Sequence, residues 1–576
     1  MKMQPLIVVL HVLMVVVFGL LGWRLFYLQH CQADYYADEA YSSLHAYTRQ
    51  EPQRGRILDS GGVGGRVLAA SNKIQTVFID PGVLGHWDDV METAGALQDV
   101  LGMGAMEICD MIAERRTRRF VAIKEGITEA QREAIVAANL RGVGIQSQYR
   151  RYYPMGALTS HVVGFIGGNT DPNDFDKIGL SGAERSYESL LKGSRGNHVF
   201  LVDKRRYPIG MDTKRSVAAR DGSSIVLTID STIQEFARSA LMKQVQAYQA
   251  ESGAAVVMNP WTGAILALVS LPDYDPLEFG KADIGRLRNR ALTDPFEPGS
   301  IFKPIVVAGA LDKGLLHTTD RIYCEDGYYE KYRIGEWAGH RFGNMTVKAI
   351  LTESSNIGMA KIGQKMGQKN LYEVVRLFGF GQPTGVDLPG EDAGSLRPTN
   401  EWSSYTITRI PYGHEISVTA LQIIRAFAIL ANGGSPVTPH LVRAVVDDKG
   451  EVTQVSRRAN LAGHLIKQEV AEWVVREALT NVVNEGTGKE AALEKWQTWG
   501  KTGTANIATN GKYDTVNYTA SFVGGAPADV PQVVTLVTIR KPNKALGKGY
   551  SGGRVAAPVF REIMEKTLTY LEKNQR

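Results

Sequence analysis

The sequence feature that most constrains the fold is a short turn that leads directly into an apolar run. Residues 297–304 read Glu-Pro-Gly-Ser-Ile-Phe-Lys-Pro, and an apolar stretch follows as far as Leu311. This pattern predicts a tight turn that feeds a buried helix. Ser300 and Lys303 are three residues apart, so the helix places both side chains on one face, within reach of each other.

Ser300 and Lys303 together have the chemistry of an activated nucleophile. A serine hydroxyl attacks a carbonyl carbon when a neighbouring base takes its proton. A lysine amine serves as that base when burial lowers its pKa, and a buried helix start provides such a site. The free N–H groups of the same helix start favour negative charge on an oxygen atom. The spacing alone identifies nothing, because Ser189 and Lys192 repeat it within an ordinary amphipathic pattern.

Two further polar segments follow in a fixed order. Ser354-Ser355-Asn356 begins 54 residues after Ser300, and Lys501-Thr502-Gly503-Thr504 begins 147 residues after Ser354. The order Ser-x-x-Lys, Ser-x-Asn, Lys-Thr-Gly is the one found in penicillin-binding proteins and serine β-lactamases. The intervals leave room for a helical subdomain between the segments.

Length, charge and cysteine content limit the possible classes of protein. A chain of 576 residues predicts two or more domains with a sizeable core. The formal net charge of +5 is mild, and without a dense basic stripe we expect no nucleic acid partner. The three cysteines are odd in number and widely spaced, which predicts neither a disulfide framework nor a cysteine metal site.

The N-terminal segment predicts a membrane anchor. From Leu6 to Trp23 the sequence contains no Asp, Glu, Lys or Arg. Such a run is long enough to cross the hydrocarbon core of a bilayer as a helix. We predict a cytoplasmic tail at residues 1–5, a transmembrane helix at residues 6–28, and the rest of the chain outside the cytoplasm. A cleaved signal peptide is the main alternative, but no small-x-small cleavage site follows.

The remaining chain divides into two predicted domains. Residues 29–220 are predicted to form an elongated, non-catalytic α+β pedestal or dimerisation-like domain, because no catalytic constellation lies between residues 45 and 215. Residues 221–576 contain the three polar segments. Their pattern predicts an antiparallel sheet flanked by helices and interrupted by an all-helical insert. The predicted strands lie near residues 225–230, 253–258, 264–270, 498–506, 519–524 and 533–540, and the predicted helices near 231–247, 347–432 and 556–572.

With these segments in view, the chain resembles a class B penicillin-binding protein, a monofunctional D,D-transpeptidase of cell-wall peptidoglycan. The residues that carry the resemblance outside the three segments are Leu25 to Gln29, Arg54-Gly55-x-Ile57-x-Asp59, Arg151-x-Tyr153-Pro154-x-Gly156, His161, Gly164 and Gly552 to Phe560. The chain departs from the family in a glycine-rich insertion after Asp59 and in Glu415, where glycine is common. The resemblance implies an α+β transpeptidase domain similar to the serine β-lactamases.

The resemblance also implies roles for the first two segments. Ser300 attacks the carbonyl carbon of the penultimate D-Ala of a stem peptide, and Lys303 takes its proton. Ser354 relays a proton toward the leaving D-Ala nitrogen. Asn356 forms a hydrogen bond with Lys303 or with the substrate amide.

The third segment completes the implied site. Lys501 tunes the proton network and attracts the terminal carboxylate of the substrate, which the Thr502 and Thr504 hydroxyls bind. Gly503 leaves space for the peptide that lies along the strand, and the N–H groups of Ser300 and Thr504 form the oxyanion hole. β-Lactams acylate Ser300 as substrate mimics, and the implied chemistry needs neither a metal nor an organic cofactor.

The implied setting is the bacterial inner membrane, with a single span and a cytoplasmic N-terminus. The implied partners are a membrane glycosyltransferase of the SEDS family and other division or elongation proteins. Moderate length, the Tyr412-Gly413-His414 loop and the absence of C-terminal repeat modules favour a role in cell division. Two alternatives stay open: a related D,D-carboxypeptidase or β-lactamase that uses water as the acceptor, and a non-catalytic scaffold for wall synthesis.

Overall fold

The computed structural model describes most of the chain, namely residues 4–115, 117, 120–168, 177–203, 208–455, 463–509 and 512–574. Residues 1–3 of the predicted cytoplasmic tail lie outside these ranges. The chain forms two compact units, each assembled from separate stretches of sequence. Unit 1 comprises Met1–Arg54, Gln75–Tyr149 and Lys192–Gly222, and unit 2 comprises Gly55–Ile74, Arg150–Leu191 and Ser223–Arg576.

Unit 1 begins with the apolar helix Gln4–Phe26, which continues as a wider turn at Tyr27–Cys31. The segment Leu6–Cys31 is 26 residues long, and none of its residues is buried. At about 1.5 Å per residue it exceeds a hydrocarbon core of about 30 Å. The helix is therefore long and apolar enough to cross a membrane.

The segment after the apolar helix contains a second helix and then a strand. The helix is Ala33–Leu44, and the strand is His45–Gln50. It pairs antiparallel with Gly196–Val202, which in turn pairs with Pro208–Met211. Pairing with Gly196–Val202 makes this segment a strand. Because that partner lies some 150 residues further along the chain, the local sequence does not reveal the pairing.

The rest of unit 1 is a small helix-on-sheet core. Residues 76–79 of the strand Val67–Ile79 pair with Val121–Glu125, and three helices cover them. The helices are Trp87–Leu101, Ala105–Ala113 and Glu129–Ala138. The first ends at Gly102, whose φ of +63° is a left-handed conformation that favours glycine. Gly102 therefore separates the first two of these helices.

Unit 2 contains a small mixed sheet beside a buried ion pair. The strand Ser224–Leu227 pairs parallel with Ile57–Leu58 and antiparallel with Val442–Val446. Arg151 Nε donates to Glu184 Oε1 over 2.7 Å, and both side chains are almost fully buried. Removing either partner would leave an uncompensated buried charge.

The main sheet of unit 2 has five antiparallel strands. Their order across the sheet is Ile265–Leu271, Ser252–Met258, Val533–Arg540, Lys512–Ala526 and Trp499–Thr509. Alternate residues of Ser252–Met258 enter different cores: Ala255 and Val257 pack with the helices Ser231–Ala247 and Ala557–Asn574, and Val256 packs on the opposite side. Helices therefore cover both faces, as the alternation predicts.

The all-helical insert packs around the helix Lys303–Asp312, here called the Lys303 helix. Its other main helices are Val347–Thr352, Asn356–Leu377 (the Asn356 helix), Thr406–Arg409 and Ala420–Ala431. A Cβ atom on Gly309 would lie 2.2 Å from Val374 Cγ1, so glycine permits the close approach of the Lys303 and Asn356 helices. This contact brings the first two polar segments together.

Candidate active site

The turn before the Lys303 helix holds Ser300 in a fixed position. Gly299 has φ +56°, and its N–H donates to Gly413 O over 3.1 Å. A Cβ atom on Gly413 would lie 2.2 Å from Gly299 O, so this approach requires glycine. Ser300 is half-buried, whereas the next residues, from Ile301, are fully buried. The hydroxyl group therefore sits at the surface end of a buried helix.

Lys303 is fully buried and lies against the second segment. Its Nζ donates to Ser354 O over 2.5 Å and to Asn356 Oδ1 over 2.9 Å, and lies 3.2 Å from Ser354 Oγ. Burial, together with the nearby charge of Lys501, holds the pKa of Lys303 well below its usual value. A neutral amine in this position donates two hydrogen bonds and keeps a lone pair that accepts a proton.

Lys501 approaches the same serine from the strand Trp499–Thr509, here called the Lys501 strand. Its Nζ donates to Ser354 Oγ over 3.0 Å and to Thr502 O over 3.3 Å. Burial lowers the pKa of Lys501 to about 7. Ser354 has φ +60°, a conformation that costs a residue with a side chain about 1–3 kcal/mol. Two buried amines thus converge on one strained serine hydroxyl.

The two threonine hydroxyls of the Lys501 strand each have a hydrogen-bond partner, and the glycine between them packs against the turn that carries Ser300. Thr504 Oγ1 accepts a 3.0 Å hydrogen bond from the N–H of Gly552. Thr502 Oγ1 lies 2.7 Å from Thr487 Oγ1. A Cβ atom on Gly503 would lie 2.9 Å from Ile301 Cγ2, so glycine there permits contact with the turn that carries Ser300.

Comparison with known proteins agrees with this arrangement. The model of the penicillin-binding protein transpeptidase domain matches residues 253–565, and that of the penicillin-binding protein dimerisation domain matches residues 49–227. Stage V sporulation protein D of Bacillus subtilis is 32% identical over 97% of this chain and 85% of its own length. The chain belongs to the class B penicillin-binding proteins. The predicted family, α+β fold class and enzyme class, serine-type D-Ala-D-Ala transpeptidase, are confirmed.

Two further relatives of this penicillin-binding protein are informative. The probable peptidoglycan D,D-transpeptidase PenA of Neisseria gonorrhoeae is 31% identical over 97% of this chain and 91% of its own length. The crystal structure of penicillin-binding protein 3 of Mycobacterium tuberculosis, complexed with aztreonam, has a TM-score of 0.68. It is 26% identical and covers 91% of this chain and 97% of its own.

The eight predicted site residues of the penicillin-binding protein come from the three segments. Hydrogen bonds join Lys303, Ser354, Asn356, Lys501 and Thr502 into one network. Ser300, Gly503 and Thr504 are placed by backbone and glycine contacts instead. Among the residues that the structure describes, no group of three or more His, Cys, Asp or Glu side chains has metal-site geometry.

Glu415, the residue that departs from the family, has a physical explanation in this penicillin-binding protein. Its φ is +58°, which explains why glycine is common at this position. The N–H of Glu415 donates to Glu297 Oε1 over 3.0 Å, and Thr406 Oγ1 donates to Glu415 Oε2 over 2.6 Å. These contacts hold the loop after Gly413 against the turn that carries Ser300.

Sequence reasoning missed two residues that support the candidate site. Thr487 lies in the Gly-Thr-Gly loop of residues 486–488, and its hydroxyl contacts that of Thr502. Glu336 accepts hydrogen bonds from the start of the Asn356 helix. No local pattern identifies Glu336, because its partners lie about 20 residues further along the chain.

Proposed function

We propose that this protein crosslinks peptidoglycan stem peptides through an acyl-enzyme on Ser300. The observation that carries the proposal is the convergence of two buried amines, Lys303 and Lys501, on the hydroxyl of Ser354. Burial lowers the pKa of both amines, that of Lys501 to about 7, so each gives up its proton more readily than an ordinary lysine. That is the requirement of acyl transfer, in which one proton must leave a serine and another must reach an amine.

In the first step, Ser300 Oγ bonds to the carbonyl carbon of the penultimate D-Ala. Lys303 takes the hydroxyl proton on its free lone pair, and the carbonyl oxygen gains negative charge. The N–H groups of Ser300 and Thr504 are the proposed donors to this oxygen. Loss of one such donor costs about a hundredfold to a thousandfold in rate in other acyl-transfer enzymes.

In the second step, the bond from the carbonyl carbon to the terminal D-Ala nitrogen breaks. Ser354 passes a proton to that nitrogen and regains one from the amines beside it. Asn356 fixes Lys303 during this exchange through their 2.9 Å hydrogen bond. The proton that left Ser300 therefore accounts for the proton that the leaving amine gains.

The terminal carboxylate of the donor peptide is assigned to Thr502, Thr504 and Lys501. Thr504 Oγ1 already accepts a hydrogen bond from Gly552, so its own proton is available for a carboxylate. Gly503 keeps the strand close to the turn that carries Ser300. An amine of a neighbouring stem peptide then attacks the acyl-enzyme, and β-lactams acylate Ser300 as substrate mimics.

The proposal includes a cellular setting. Residues 6–28 anchor the protein in the inner membrane after a cytoplasmic tail, residues 29–220 form the pedestal, and residues 221–576 form the transpeptidase domain outside the cytoplasm. The proposed partners are a SEDS-family glycosyltransferase and other wall-synthesis proteins, and the proposed process is cell division. The exposed apolar helix Gln4–Phe26 supports the anchoring.

The mass of the intact protein after incubation with a fluorescent penicillin tests the acyl-enzyme. We expect one adduct on the wild type and none on Ser300→Ala. The matched control is Ser189→Ala, which removes the serine of the other Ser-x-x-Lys sequence, at residues 189–192. This variant should be labelled as fully as the wild type. Rapid drug loss without an adduct would indicate a hydrolase. If neither an adduct nor loss of the drug is seen, the alternative of a non-catalytic scaffold for wall synthesis is favoured.

Complementation in cells tests the division role. Depletion of the protein should give filaments that wild type rescues and Ser300→Ala does not. Rounded cells would indicate elongation instead. Rescue by Ser300→Ala would mean that the cellular role needs no catalysis.

A further inference from the structure

A buried carboxylate outside the three segments lies at the N-terminus of the Asn356 helix. Glu336 is only 7% exposed and follows the short strand Ile334–Gly335. Glu336 Oε1 accepts from the Ser355 hydroxyl over 2.5 Å and from the N–H of Ile357 over 3.3 Å, and Oε2 accepts from the N–H of Asn356 over 2.7 Å. The first N–H groups of a helix have no partner within it, so this carboxylate caps the helix from a distant part of the chain.

The same short segment also fixes the side chain of Asn356. Asn356 Nδ2 donates to Gly335 O over 3.2 Å, which directs Oδ1 toward Lys303 Nζ, 2.9 Å away. The two residues before Asn356 are Ser354, which lies against both lysines, and Ser355, which donates to Glu336. Gly335 and Glu336 therefore hold Ser355 and Asn356 directly, and Ser354 is the residue that immediately precedes them.

Charge gives Glu336 a second effect on the site. The ionisable groups that act on Lys303 are Lys501, Glu336 and the Cys324 thiol, and the carboxylate of Glu353 acts on Lys501. Lys501 opposes a positive charge on Lys303, whereas Glu336 favours one. In a buried site such charges interact more strongly than they do in water.

We propose that Glu336 is a positioning residue for acyl transfer, which holds Ser354 and Asn356 against Lys303 and stabilises the proton that Lys303 takes from Ser300. The inference rests on the proposed function. In that step the Oγ–H bond of Ser300 breaks, its Oγ bonds to the carbonyl carbon, and the proton moves to Lys303. A positive charge then appears on a fully buried amine beside Lys501, and Glu336 is the carboxylate that balances it.

The test is the rate constant for acylation by a fluorescent penicillin, measured from roughly pH 5.5 to 10 on the full-length protein. The variants are Glu336→Gln, which removes the charge at nearly constant shape, and Glu336→Asp, which retains it. Glu330→Gln is the matched control, because Glu330 is an exposed glutamate in the same region. Ser300→Ala provides the blank.

We expect Glu336→Gln to lower the plateau rate by about tenfold to a hundredfold. Acylation requires neutral Lys303, and removal of a negative neighbour lowers the pKa of Lys303 further. The acidic limb of the pH profile should therefore move to lower pH. Glu336→Asp should keep the wild-type limb with an intermediate plateau, and Glu330→Gln should match the wild type.

A plateau within about twofold of wild type, or a lower plateau with an unmoved limb, would overturn the inference. The second result would mean that Glu336 only supports packing. If Glu336→Gln does not fold, Ser355→Ala decides. It removes one donor to the carboxylate, which strengthens the effect of its charge on Lys303 and should move the limb to higher pH; an unmoved limb would refute the proposal. Labelling of Ser300→Ala would instead overturn the proposed function, and this inference with it.

Discussion

Lys501 Nζ lies 3.0 Å from Ser354 Oγ, although 147 residues separate the two along the chain. Lys501 lies on the edge strand of the five-stranded sheet, and Ser354 precedes the Asn356 helix of the helical insert. Their contact therefore joins the sheet to the insert. Lys303 reaches the same serine from the Lys303 helix. The site therefore depends on the relative positions of three elements: the Lys501 strand, the Lys303 helix and the start of the Asn356 helix.

Replacement of Lys303 by Met should separate catalysis from stability. Methionine has a similar volume but no amine, so acylation by a penicillin should fall by at least about a hundredfold. The melting temperature should change little, because the folded state no longer buries an amine, while Ser354 O and Asn356 Oδ1 lose their hydrogen-bond donor. Acylation kinetics and thermal unfolding of the same preparation measure both effects. Near-wild-type acylation would exclude Lys303 as the base.

The two buried lysines should make the stability of the protein depend on pH. The pKa of Lys501 is about 7 in the folded protein, against 10.5 for an ordinary lysine. Between these values the unfolded chain binds a proton that the folded state does not, so stability rises with pH. Lys501→Met removes this contribution.

Chemical denaturation at pH values near 7 and near 10 measures that difference. The wild type should gain stability relative to Lys501→Met as the pH rises across this interval. Exposed Lys495→Met is the control and should give no such change. A pH-independent difference between wild type and Lys501→Met would contradict the lowered pKa.

The parts of the fold that sequence could predict are those set by local pattern. Val533–Arg540 was predicted with the bounds that the structure shows, because its apolar residues fill both faces of a buried strand. The helix Ser231–Ala247 was also predicted, and Asp230 caps it by accepting from the N–H of Thr232 over 2.9 Å. In both cases the information lies within a few neighbouring residues.

The parts that sequence could not predict depend on distant partners. His45–Gln50 is a strand only because Gly196–Val202 pairs with it. Glu336 is one acidic residue in a polar turn until the fold brings it to the Asn356 helix. The candidate site residues could be predicted because they belong to three short segments that occur in a fixed order. Supporting residues such as Glu336 belong to no such segment.

Gly503→Ala should damage the site through contact with the turn that carries Ser300. The added Cβ atom would lie 2.9 Å from Ile301 Cγ2 and 3.1 Å from Pro298 O. Relief of such a clash moves the turn, so we expect a loss of about 1–3 kcal/mol in unfolding free energy and slower acylation. Gly280→Ala is the control, because no atom lies within 4 Å of its added Cβ. Equal behaviour of the two variants would contradict this account of Gly503.

Substitution of Thr504 should reveal how the site binds a carboxylate. Thr504→Val loses both the acceptor for the Gly552 N–H and the proton proposed to bind the substrate, whereas Thr504→Ser keeps both. A hydrogen bond to a charged group contributes about 1.5–3 kcal/mol, so Val should lower acylation by about tenfold to a hundredfold. The measurement compares a penicillin with its methyl ester, which lacks the carboxylate charge. The wild type and Thr504→Ser should prefer the free acid, and Thr504→Val should lose most of that preference. If Thr504→Val slowed both compounds equally, Thr504 would support the strand through Gly552 rather than bind the carboxylate.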